Sequence, residues 1–459
     1  MANRYIVSGI KEGKSMNRKW LAVGIVLLFV GITFGSSLAM KTDSTRQMPS
    51  FGGNTIYVDD DNMQGPWDGS LEHPYRHIQD GVDNATDGDT VFVFNGSYRE
   101  KVNITKSISV LGENKSRTFI NNSGYGIYQH IVLICSHDVV FSGFTVFLTK
   151  KTCPAIQLNE SDNCIVSNNI VISSWGISLY YSSYNTIRNN TIITTNGGIS
   201  ISDLVKVSSR NVIKNNRITN SGNPGLVYNF GIALWQYAEN NTISENYFYN
   251  CANHAVYSLS SKNNTIEKNI IRQNISNKDA GIGIYGHNPP GHTIRGNDIA
   301  GCINGIATES DYLNIYDNFL HDNTDGMYLS SGNYYHITVT NNTFINNTVG
   351  LDMVYAKLCK VERNTFHGST YALVLEICNG LNVQYNNFTG NTWAVVPEGS
   401  WLNVFSRNNF IGNAHYVLLF RSRNIWWGNY WDHPRSLPKL ILGIIPFIQF
   451  DWHPARQPN

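Results

Sequence analysis

The sequence predicts an all-β solenoid in which short parallel strands wind upward in coils of about 22 residues. Three observations lead there. First, a pattern Asn-x-apolar-x-x-Asn-x-apolar recurs, with landmarks at Asn168, Asn190, Asn216, Asn246, Asn269, Asn297, Asn318, Asn342, Asn364, Asn386, Asn408 and Asn429. Second, a Gly-apolar-x-apolar stretch follows most landmarks, as in GISL (176–179), GIAL (231–234) and GMYL (326–329). Third, apolar residues alternate with period two over short runs broken by Asn and Gly, and no ten-residue amphipathic helix fits between landmarks. Short strands at a fixed period bury their inward side chains by stacking coil on coil. The landmark Asn fits a ladder at a bend, its amide bonding the same amide one coil up.

Composition narrows the function. With 34 basic and 33 acidic residues, the chain lacks the excess of positive charge that a nucleic-acid partner requires. It has 58 Asn and 39 Gly, so neutral amides and turns replace ion pairs.

Along the chain, residues 1–40 read as a signal peptide or an N-terminal membrane anchor. Lys11, Lys14, Arg18 and Lys19 precede an uncharged run from Trp20 to Met40, with small residues at Ser37 and Ala39. This places the rest of the chain outside the cytoplasm, with an N-terminal membrane contact available. Residues 41–54 form a linker. Residues 55–120 mix strands with one short helix near Pro74–Val82 and read as an N-terminal capping unit. Coils fill 121–423. Residues 424–459, rich in Trp, form a C-terminal closing unit. Its apolar run 440–450 is too short to span a bilayer. The seven Cys include no C-x-x-C. One whole repeat lies between Cys251 and Cys302, which sets them about two strand spacings, roughly 9–10 Å, apart and too far for a bridge, so the thiols are read as mostly buried and unpaired.

Three stretches carry a resemblance. IYVDDDN…GPWDGSLEHPYRHIQDGVDNATDGDTVFVFNGSYRE (56–100), the NTI..N.I…GI.L coils through 139–423, and NYWDHPRSLPK…DWHPA (429–455) resemble right-handed parallel β-helix proteins of the NosD-like, carbohydrate-binding-and-sugar-hydrolysis type, especially those of archaeal cell surfaces. The resemblance implies that fold. It leaves activity open, because the fold hosts lyases, hydrolases, epimerases, adhesins and a copper-enzyme accessory protein.

Inward positions are core, so function belongs to outward slots. The slot inside Gly-apolar-x-apolar and the slot just after it place Trp235, Tyr257, Tyr285 and Tyr328, then Glu309, Asp352 and Glu376, on one face. Flat aromatic rings suit sugar rings, and carboxylates suit acid–base work on a glycosidic bond. The expected partner is therefore a polysaccharide or cell-surface glycan, bound without strong catalysis. The alternative is a glycoside hydrolase or polysaccharide lyase using Glu309, Asp352 and His287. His287 and His292 sit in an inserted loop, YGHNPPGH. The catalytic motifs of β-helix polygalacturonases and pectate lyases are absent. Asp59, Asp60 and Asp61 are candidate calcium ligands by their hard oxygens. Copper requires grouped His, Met or Cys, which the sequence disperses. A third reading is a structural surface rod or a copper-site accessory factor.

Overall fold

The computed structural model describes residues 53–121, 130–148, 153–202, 206–222, 229–274, 280–286, 291–330, 336–443 and 448–459. The segment 1–40 and nearly all of the linker lie outside them. No helix among the described residues is long and apolar enough to cross a membrane.

The chain is a parallel β-helix. One coil shows the plan. Lys360–Glu362 forms the first face, Thr365–His367 the second and Tyr371–Glu376 the third. Each strand pairs in parallel with its counterparts one coil down and one coil up: Thr338↔Lys360↔Asn382, Thr343↔Thr365↔Asn387 and Val349↔Tyr371↔Trp393. The landmark stretch is thus two strands with a corner between them. In two coils the second and third faces run together as unbroken strands, Ile170–Tyr180 and Thr191–Ser202.

The corner explains the Asn. The residue before each rung adopts a left-handed conformation, for example Asn215 (φ 55), Lys268 (φ 53), Asp317 (φ 57) and Arg407 (φ 55). That turn aims the next side chain inward, where it needs polar partners. Asn297 shows how they are found. Its Oδ1 accepts from the backbone N–H and the Nδ2 of Asn269, both at 3.0 Å. Its own N–H and Nδ2 donate to Asn318 Oδ1 at 3.0 and 2.9 Å, and Nδ2 also donates to Ile266 O at 2.9 Å. The same pattern runs from Asn190 to Asn429. Its first rung is Asn169, not Asn168. Asn168 is the exposed left-handed corner residue (φ 55), and Asn169 donates to Asn190.

The ladder ends on a residue that only accepts. Asp451 is fully buried, and its carboxylate accepts from the N–H groups of Asn429, Gly428 and His453, from Asn429 Nδ2 and from Trp431 Nε1. A terminal rung has no further coil to donate to, so a carboxylate serves where an interior rung needs an amide.

A second ladder, which the spacing analysis did not separate, runs through Asn185, Asn211, Asn241 and Asn264. It stops at His292, whose Nδ1 accepts from the Asn264 N–H at 3.0 Å.

Inside, like stacks on like. Phe344, Phe366, Phe388, Phe410 and Trp431 stack at 4.7, 4.9, 5.0 and 4.3 Å between ring centroids. The helix, Ile78–Asn84, buries Ile78 and Val82. Its first N–H groups donate to buried Glu100. Tyr75 lies outside it, bridging to Val58. All seven Cys are free, and Gln273 fills the coil between Cys251 and Cys302, bonding the Cys251 backbone through both its amide atoms.

Replacing Asn297 with Ala removes the acceptor of two buried donors on Asn269 and two donors of its own. The expected cost is about 3 kcal/mol or more in denaturant unfolding. Asp451→Asn keeps one acceptor oxygen but turns an NH2 group towards N–H donors, so it should also destabilise the chain, by about 1–3 kcal/mol. An unchanged unfolding midpoint for that variant would contradict the acceptor-only role of residue 451.

Candidate functional site

The third face carries the candidate site, because its strands are the longest and alternate buried with half-buried side chains, as in Asp325–Ser330 and Val349–Val354. The two outward rows expected from sequence are in register. One runs Ala233, Tyr257, Gly283, Ala307, Tyr328, Asp352 and Val374. The other passes from Leu259 to Tyr285, then, past Glu309, through Ser330, Val354, Glu376 and Glu398.

A third row was missed. It runs Trp175, Gly197, Phe230 and His254, and farther up Asn304, Asp325, Val349, Tyr371, Trp393 and His415. Its sequence signal is the residue just before the small residue of each third strand: Trp175 before Gly176, Phe230 before Gly231, Asp325 before Gly326 and Trp393 before Ala394.

Together the three rows assemble an aromatic patch. Phe230 contacts Trp175, Trp235 and Tyr257 at 6.2, 5.7 and 6.3 Å between centroids. Trp235 meets Tyr257 edge to face at 5.4 Å, and Tyr257 meets Tyr285 at 5.6 Å. His254 Nε2 lies 3.1 Å from Tyr285 Oη. Gly283 makes that contact possible. A Cβ there would stand 2.5 Å from the His254 ring and 2.6 Å from the Tyr285 ring. Burial pushes the His254 pKa down to about 4, so its imidazole is neutral.

Higher on the same face lie the carboxylates. Tyr328 stands directly beside Asp352 in the ladder, with Asp325 on the Tyr328 strand and Glu376 one coil beyond Asp352. Burial, with Glu376 and Asp325 adding repulsion, pushes the Asp352 pKa up to about 7. Its Oδ1 is buried and has no hydrogen-bond partner. Burial alone takes Asp325 to about 6. Glu309 is exposed and sits two coils from Asp352, roughly 9–10 Å along the axis. That separation is too long for the close carboxylate pair of a retaining glycosidase. Asp325 and Glu376, not Glu309, are the acidic neighbours of Asp352.

The remaining candidates fall elsewhere. His287 lies outside the described residues. His292 is not a loop ligand but a buried rung of the second ladder, bonded to Asn264 and 3.2 Å from Ser258 Oγ, with its pKa pushed to about 4 by burial. Asp59 accepts from the Asp61 N–H, and Asp60 accepts from the Ser97 N–H at 2.8 Å, which ties the first strand to the strand Gly96–Tyr98. A Cβ at residue 96 would meet Asp60 Oδ1 at 2.0 Å, so Gly96 makes room for that tie. Among the described residues no three His, Cys, Asp or Glu side chains gather to hold a metal ion, Asp59, Asp60 and Asp61 included, so nothing here supports the expected calcium site.

The family model described as periplasmic copper-binding protein (NosD) matches residues 82–281, 228–340 and 274–441. No curated protein matches the chain. Among solved structures, the chain is similar to an alginate lyase from Paenibacillus sp. str. FPU-7, at 17% identity and TM-score 0.46, over 61% of this chain and 98% of that one. It is similar to the A-module of the Azotobacter vinelandii mannuronan C-5 epimerase AlgE6, at 14% identity and TM-score 0.45, over 78% and 95%. It is also similar to PfbA, a surface adhesin of Streptococcus pneumoniae, at 14% identity and TM-score 0.43, over 71% and 87%.

Two pH responses follow from the buried groups. An Asp whose folded pKa exceeds its unfolded value favours folding when protonated, so its penalty grows as pH rises from about 4 to about 7. Asp352→Asn should therefore stabilise the chain by about 1–2 kcal/mol at pH 8 and by nothing below pH 4, read as Tm against pH. The sign is opposite in form for His292. Its depressed pKa means that the unfolded state takes up a proton first, so stability falls as pH drops from about 6.5 towards 4. His292→Asn restores the rung type and should flatten that acid limb; an unchanged limb would assign it to other groups.

Proposed function

The chain belongs to the NosD family, and on that premise we propose that its third face binds a polysaccharide lengthwise, outside the cytoplasm, without strong catalysis. The observation that carries this reading is the unbroken aromatic contact from Trp175 through Phe230, Trp235 and Tyr257 to Tyr285. The half-buried rings of Trp175, Trp235, Tyr257 and Tyr285, gathered around buried Phe230, offer an apolar platform with polar edges, at little cost in side-chain entropy.

Charge restricts the glycan. The three outward rows carry Asp325, Asp352, Glu309, Glu376 and Glu398 and no Lys or Arg. A polyuronate laid along them would meet like charge at Glu309, Glu376 and Glu398, whatever the protonation of Asp325 and Asp352. A neutral or amino-sugar polymer meets none, and an ammonium group would pair with the carboxylates. The copper in the family's description finds no comparable support in these residues. His254 is half-buried and bonded to Tyr285, His292 is buried and engaged, His321 is held between Asp298 and Asp322, and five of the seven thiols are buried. No step of the proposed function passes through copper.

A second reading, a glycan-cleaving enzyme, is favoured by one observation: Asp352 holds a proton near neutral pH beside a buried, unpartnered oxygen. A protonated carboxyl can deliver that proton to a glycosidic oxygen, and Glu376 or Asp325 can act as its base.

Affinity electrophoresis on neutral, amino-sugar and uronic-acid polymers tests the binding. Retardation should be strongest on the amino-sugar polymer and weakest on the polyuronate. Trp235→Ala with Tyr257→Ala should weaken it at least about tenfold, or about 1.4 kcal/mol. Retention unchanged by that pair would overturn the proposal. Release of new reducing ends, abolished by Asp352→Asn, would establish the enzymatic reading instead.

A further inference from the structure

The first face changes character at its C-terminal end. Along one outward row the residues are Thr338, Lys360 and Asn382, then Val404 and Ile425. Along the next they are Thr340, Glu362, Gln384 and Ser406, then Trp427. Two further strands extend this apolar end. Ile448–Asp451 pairs in parallel with Arg423–Trp427 through Trp426↔Asp451, and just beyond it Trp427 packs on His453 at 4.1 Å and Trp452 on Phe450 at 5.0 Å between ring centroids. Lys439–Leu442 adds antiparallel, with Leu440↔Phe450 and Leu442↔Ile448.

Alternation across these strands is strict. Asn424, Trp426, Ile441, Gln449 and Asp451 point inward and are buried, while Ile425 and Trp427 are 51% exposed and Leu442, Ile448 and Trp452 are 61% exposed. Rows that are polar in the preceding coils thus become a contiguous apolar surface on the last three strands. Single exposed apolar residues are ordinary; a patch of this kind marks an interaction surface.

Charge identifies its partner. From residue 401 onward the chain holds Arg407, Arg421, Arg423, Arg435, Lys439 and Arg456 against only Asp432 and Asp451. Asp451 is buried in the terminal rung, and Asp432 is engaged by Tyr416 Oη and the Gly412 N–H. The chain as a whole is nearly neutral, so this excess is local. A second copy docked by two-fold symmetry would set these cations against themselves. An anionic lipid surface complements both features, with Trp427 and Trp452 at the headgroup level and the exposed Arg421 and Arg423, the latter on the outward side of the Ile425 and Trp427 strand, on the phosphates. We propose that the C-terminal apolar face of the β-helix docks peripherally on an anionic bilayer. This docking is independent of the glycan face and of the apolar run at residues 20–40.

Co-sedimentation of the full chain with phosphatidylcholine vesicles, with and without phosphatidylglycerol, tests it. Wild type should bind the anionic vesicles and lose affinity as salt rises. The variant Trp427→Ser, Leu442→Gln, Trp452→Ser should bind them at least about tenfold less well. Its exposed positions leave the core intact, which an unchanged melting curve would verify. Arg421→Glu with Arg423→Glu, which spares every apolar residue, should abolish the preference for phosphatidylglycerol. Equal binding by wild type and both variants would assign the membrane contact to another segment and overturn the proposal. So would a concentration-dependent dimer that the triple variant dissolves while vesicle binding persists.

Discussion

From Asn169 to Asn429 each coil is fastened to the next by a buried side-chain amide at a left-handed corner. The corner turns an Asn into the core, and a buried amide requires partners for two donors and an acceptor. The same amide on the neighbouring coils supplies the acceptor for one N–H and the donors for the oxygen, and a backbone carbonyl takes the second N–H. This constraint fixes the register between coils whatever the loops do. Landmark spacings vary between 21 and 30 residues, yet the amide bonds between rungs stay near 3 Å. Insertions therefore leave the stack and enter the turns, where chain length costs little.

Constant register has a functional consequence. Side chains that leave the solenoid at equivalent positions form straight rows one strand spacing apart, so a surface can be composed coil by coil. The third face is composed this way, aromatic in its lower coils and acidic in its upper coils. The first face is polar for most of its length and apolar at the end. Chemistry along such a rod is graded along an axis, and neither surface needs a cavity. The burial that raises Asp352 arises from crowding by neighbouring rows, which is also why Asp325 and Glu376, but not exposed Glu309, reach it.

Much of this was legible. The outward rows containing Tyr257, Tyr328 and Asp352, and Tyr285, Glu309 and Glu376, follow from counting past each Gly-apolar-x-apolar stretch, because strand alternation is strict and local. The row of Trp175, Phe230, His254 and Asp325 was overlooked because it precedes the small residue, where the chain bends onto the third face. Its outward direction depends on that bend. Two Asn stand side by side at 168 and 169, and only the corner conformation tells which of them turns inward. His292 resembled a loop ligand because nothing local shows that an imidazole Nδ1 can stand where an Asn Oδ1 stands.

By itself the sequence determined the solenoid, its period, its core positions and the alternation of its faces, since each rests on repeated contacts between equivalent residues. The tertiary structure decided what depends on unequal neighbours. It set the aromatic contacts across coils, the His254–Tyr285 pair over Gly283, the burial that raises the Asp352 pKa, the Asp451 terminus of the ladder and the apolar end of the first face. Those features join residues separated by loops of differing length, and their distances are set by hydrogen-bonded register rather than by position in the chain.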